Sequence, residues 1–97
     1  MGATTFTQVG KGKTATEAFL TAVAEARHQY GHGGYTGTLA EKGTFVLIQP
    51  PEGADLRAFV ADLLNKDDDP RISDKWGPAG CVKLGPEEYV FFGWAST

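Results

Sequence analysis

The chain has 97 residues, 41% hydrophobic and 22% charged, which fits one globular domain spanning residues 1–97 and excludes a disordered or low-complexity polypeptide. Its formal net charge of −3 implies no general attraction to nucleic acid or to an anionic membrane. The single cysteine, Cys81, excludes an internal disulfide and a multi-cysteine metal site, and no apolar run approaches the ~20 residues of a membrane-spanning helix.

Residues 3–10, ATTFTQVG, are β-branched and aromatic in rough alternation and predict a strand. Thr14 and Glu17 have the spacing of a capping box, with Thr14 as N-cap of a helix that runs to Tyr30. Ala15, Phe19, Ala22, Val23, Ala26 and Tyr30 form its apolar stripe. Arg27 and His28 suit its last turn, and Gly31 suits its stop. A glycine-rich loop follows, and TGTLAEKGTFVLI reads as two short strands around a turn at Glu41-Lys42-Gly43. Pro50-Pro51 closes that unit. A second helix over residues 55–64 shows Leu56, Phe59, Val60, Leu63 and Leu64 on one face. A polar loop leads to a hairpin, AGCVKL and EYVFFGWA, around Gly85-Pro86-Glu87.

The predicted order is β-α-β-β-α-β-β. Two amphipathic helices need a sheet to cover, so the expected fold is α+β: a two-layer sandwich with an antiparallel sheet and both helices on one face. This is a ferredoxin-like plan with an added strand. Phe91, Phe92 and Trp94 place bulky groups on both faces of the last strand. With helices on one face only, the other face needs a second subunit or a further segment of the chain to cover it, and a homo-oligomer is expected.

The stretch GKGKT, residues 10–14, carries the second half of the phosphate-loop pattern G-x-x-x-x-G-K-[ST]. The first glycine would fall at position 7, which is Thr7, and no strand ends in an aspartate suited to hold magnesium. The reading is therefore not an NTPase loop. It is an anion pocket made by Lys11, Lys13 and free N–H groups at a helix start, weighed against a turn with two solvated lysines. The segment YGHGGYTGT, residues 30–38, adds converging backbone N–H groups at Gly33 and Gly34, with Tyr30, His32 and Tyr35 suited to a base or ribose. The plainer alternative there is a helix-to-strand connection.

Glu25, His28 and His32 have the outline of a helical metal pair without a second half, so no metal is expected. DDDP, residues 67–70, lacks the glycine and distant glutamate of a calcium loop. Cys81 reads as a buried strand residue, Trp94 as core, and Trp76, in a polar loop, as a contact residue. Residues 1–51 hold four basic and three acidic side chains, and residues 52–97 hold five and nine, so the C-terminal half is the one suited to a basic partner.

YGHGGYTGTLAEK, together with DKWGPAGCVKLG and YVFFGWAST, resembles a class of small uncharacterised proteins encoded by bacterial viruses and prophages. The resemblance implies a binding protein acting in the host cytoplasm and carries over no catalytic residue and no cofactor. Three functions follow as expectations. The first is a non-enzymatic anti-defence protein that sequesters an anionic nucleotide signal. The second is an inhibitor that docks on a host defence complex through its acidic half. The third is a small enzyme acting on a nucleotide, with His28 or His32 as general base.

Overall fold

A computed structural model of the chain describes residues 3–30, 39, 42–66 and 77–96. The elements are β1 (Ala3–Lys11), α1 (Ala15–Tyr30), β2 (Phe45–Leu47), α2 (Leu56–Lys66), β3 (Ala79–Gly85) and β4 (Glu88–Ser96). They build a four-stranded sheet in the order β1-β4-β3-β2.

The helix starts follow the local chemistry. The Thr14 hydroxyl accepts from the Glu17 N–H (3.1 Å), and the Glu17 carboxylate accepts from the Lys13 N–H (2.9 Å). This is a reciprocal cap shifted one residue outward at its second bond. α2 starts after Pro50-Pro51, where the Asp55 carboxylate accepts from the N–H groups of Arg57 (3.0 Å) and Ala58 (3.3 Å). Arg27 and His28 occupy the last turn of α1, where cations complement the helix dipole.

The sheet is mixed, which corrects the expected antiparallel arrangement. β4 is antiparallel to both β1 and β3, whereas β2 is parallel to β3. β1, β2 and β3 therefore all run the same way. Of the two strands expected between the helices, β2 is described. Leu39, on the expected first strand, is buried and accepts a turn hydrogen bond from the Lys42 N–H (2.9 Å). The order is β-α-β-α-β-β.

The helices do not share a face, which corrects the two-layer plan. Side chains alternate across a strand, so neighbours in β4 report opposite sides. Tyr89, Phe91 and Ala95 pack with Ala18, Phe19, Ala22, Val23 and Ala26 of α1. Val90 and Phe92 pack with Val60 and Leu63 of α2. β3 divides likewise, with Cys81 towards α1 and Val82 towards α2. The reason is topological. The chain crosses the whole sheet from β1 to β2 through α1, then turns back to β3 through α2. Crossovers of one hand that run in opposite directions must lie on opposite faces. The face expected to lack a helix is thus covered by α2.

The α1 side holds an aromatic cluster. Phe19 lies 5.0 Å from Phe45 and 5.4 Å from Phe91, centroid to centroid. Lys42, 3% exposed, closes that layer by donating from Nζ to the Gly77 carbonyl (2.9 Å), with its ammonium 6.0 Å from the centre of the Phe6 ring.

Candidate functional site: the cleft between β1 and α2

GKGKT lies where the end of β1 turns into α1. Its two glycines serve packing. A Cβ on Gly10 would stand 2.4 Å from the Ala18 carbonyl oxygen and 3.0 Å from the Ala22 Cβ. One on Gly12 would stand 2.6 Å from the Ala18 nitrogen. α1 therefore rides directly on β1, and only glycine permits that approach. Gln8 fastens the same contact, donating to the Ala22 carbonyl at 2.8 Å.

Two of the loop's backbone donors are engaged within the chain. The Gly12 N–H donates to the Glu87 carbonyl (3.0 Å), and the Lys13 N–H to the Glu17 carboxylate. A carboxylate thus already sits where a bound anion would sit, and Asp55 does the same at α2. Lys11 and Lys13 are both exposed. Lys11 lies opposite Glu88 in the strand register and on the α2 face, whereas Lys13 lies in the turn beyond the strand. His32, Gly33, Gly34, Tyr35 and Trp76 lie outside the described residues. Glu25 and His28 are exposed on α1, and no group of three His, Cys, Asp or Glu that could hold a metal gathers among the described residues.

The hollow that sequence reading missed lies on the α2 face. α2 covers β3 and β4 but leaves the outer strand open, so Thr5, Thr7 and Val9 are exposed there, Val9 to 44%. Between β1 and α2 runs a cleft of about 500 Å³. Val9, Val60, Leu64 and Val90 give it an apolar lining, and Arg57 and Glu88 add one charge of each sign. Neither charged side chain is engaged in a hydrogen bond or ion pair among the described residues. A concave, largely apolar hollow with a few polar groups on its walls is the make-up common to ligand-binding sites. The signal in the sequence was Val9, an apolar residue on the strand face opposite Phe6, beside a helix whose exposed Ala61 leaves room.

Cys81 is buried in β3, and burial pushes its thiol up to about 12, so it is not a nucleophile at neutral pH. Trp94 is partly buried, and its indole N–H is shielded from water without an acceptor among the described residues. No described helix is long and apolar enough to cross a membrane. Comparison with known protein families, with curated proteins and with solved structures finds no match to this chain.

Proposed function

We propose that the chain is a non-enzymatic binding protein that docks on another protein through the cleft between β1 and α2. The observation that carries this reading is the cleft itself, an apolar hollow open along an edge strand and bordered by Arg57 and Glu88. The sequence resemblance to proteins of phages and prophages makes the partner a host protein in the bacterial cytoplasm, so the activity is inhibition by occupancy. Capture of a nucleotide is the weaker reading, because both helix starts already hold a carboxylate.

The test is retention of a host protein on the immobilised chain. Ala61→Trp fills the cleft from an exposed position, and Val9→Asp charges its outer wall. Both are expected to abolish retention without unfolding the chain, while Lys13→Ala retains it. Retention unchanged by Ala61→Trp and Val9→Asp would remove the cleft from the function. A nucleotide released by heat from the purified protein, and lost in Lys11→Ala, would restore ligand capture.

A further inference from the structure

This inference rests on the reading above, that the cleft meets another protein, and specifies the form the partner takes. Among the described residues, β1 is an edge strand of nine residues. The Gly12 N–H bonds the Glu87 carbonyl in direct continuation of the β1–β4 register. In an antiparallel ladder, alternate residues turn both backbone groups to the same neighbour. The even-numbered residues of β1 therefore bond β4. Thr5, Thr7 and Val9 turn their N–H and C=O groups to the open side. These same residues have side chains on the α2 face, and Thr7 and Val9 line the cleft. One edge thus offers backbone bonding groups and an apolar hollow in the same register.

A second copy pairing through its own β1 does not fit this edge. Antiparallel pairing of β1 with β1 of another copy keeps both α1 helices on one face of a continuous sheet. Each helix rides directly on its β1, as the Gly10–Ala18 approach shows. Adjacent strands lie ~4.8 Å apart, whereas packed helices need about 8–10 Å. The occupant is instead a bare extended segment with no helix above it. Charge gives its pattern. On α1, the stripe next to Ala18 and Ala22, on the side away from Phe19 and Val23, is Thr21, Glu25 and His28, all exposed. It overhangs the open edge with a carboxylate and no lysine or arginine.

We infer that an extended segment of the partner adds to β1 as an antiparallel fifth strand, with apolar residues at alternate positions over the cleft and basic residues between them under α1. Backbone bonds supply affinity in this mode and the alternate side chains supply specificity.

The probe is a fluorescent synthetic peptide of alternating valine and lysine, read by anisotropy and by amide hydrogen exchange. In antiparallel pairing its valines bond the outward residues of β1, so the matched peptide N-methylated at valine is the backbone control. Thr7→Pro removes one outward N–H and leaves the ladder to β4 whole, a substitution that edge strands tolerate. Thr7→Val keeps that N–H. The expected result is saturable binding that slows exchange at Thr5, Thr7 and Val9. Binding weakens about tenfold or more in Thr7→Pro and with the methylated peptide, and far less in Thr7→Val, which alters only the lining side chain. Absence of saturable binding overturns the inference, as does binding indifferent to both Thr7→Pro and N-methylation. If Ala61→Trp abolishes retention of the host protein while Thr7→Pro preserves it, strand addition fails and the cleft reading stands. If Thr7→Pro abolishes retention and Ala61→Trp does not, the cleft reading fails and the edge remains.

Discussion

At the scale of single residues, the glycines of GKGKT show how one motif serves different physics. Residues 8–14 were legible as strand end, turn and cap, because β-branched runs and the Thr14–Glu17 spacing act locally. The purpose of the glycines was not legible, since the atoms that demand them, the Ala18 carbonyl and the Ala22 Cβ, belong to another element. Gly10→Ala forces a carbonyl and a methyl apart in a tight contact and is expected to cost about 1–3 kcal/mol in urea unfolding. Lys11→Ala and Lys13→Ala are exposed changes, expected to stay within about 0.5 kcal/mol. An effect of Gly10→Ala no larger than that of the lysine variants would show that α1 does not sit on β1 as described. Cys81 supplies a second residue-level expectation. Its thiol is raised from 9.0 to about 12 by burial, so the folded state holds a proton that the unfolded state releases first. The stabilising contribution is complete below pH 9 and falls as pH rises through the window towards 12. Alkylation of native protein at pH 8 is expected to proceed only at the rate of unfolding, and Cys81→Ala should flatten stability across that alkaline window.

At the scale of elements, the two helices and the closing hairpin were legible, but their arrangement was not. The run Tyr89-Val90-Phe91-Phe92 reports burial on both sides of β4 and says nothing of what covers each side. Assigning one side to a second subunit followed from placing both helices together. Parallel pairing of β2 with β3 is a long-range fact, whereas the signals of turn and periodicity reach only a few residues. Once β2 and β3 are parallel, the hand of the crossovers puts α2 opposite α1. The cleft follows from that placement, because one helix ~10 Å wide covers β3 and β4 and does not span four strands set ~4.8 Å apart. Two substitutions separate cap from core in α2. Asp55→Ala frees the N–H groups of Arg57 and Ala58 and is expected to cost about 1 kcal/mol. Leu63→Ala opens the layer beneath Phe92 and is expected to cost about 2–4 kcal/mol. Thermal unfolding of both variants ranks them. A smaller loss for Leu63→Ala than for Asp55→Ala would mean that α2 is not packed on the sheet.

At the scale of the whole molecule, the sheet has two edges of different character. β2 pairs over three residues only, and short strands are a recognised way to blunt an edge. β1 pairs with β4 over nine residues without proline or bulge, and its outward side stays open among the described residues. A long regular edge invites association, yet α1 stands over it and leaves no room for the α1 of a second copy paired through its own β1. The expected state is therefore a monomer with a selectively open edge rather than an aggregating one. Amide exchange by nuclear magnetic resonance reads this directly in the free protein. Phe6, Gln8 and Gly10 bond β4 and should be protected to near the global stability, while Thr5, Thr7 and Val9 should exchange faster by orders of magnitude. Uniform protection along β1, or a dimer by light scattering at tens of micromolar that Thr7→Pro dissolves, would show that the edge is already occupied. Alternating protection in a monomer would leave the edge and its cleft as the surface on which the chain meets its partner.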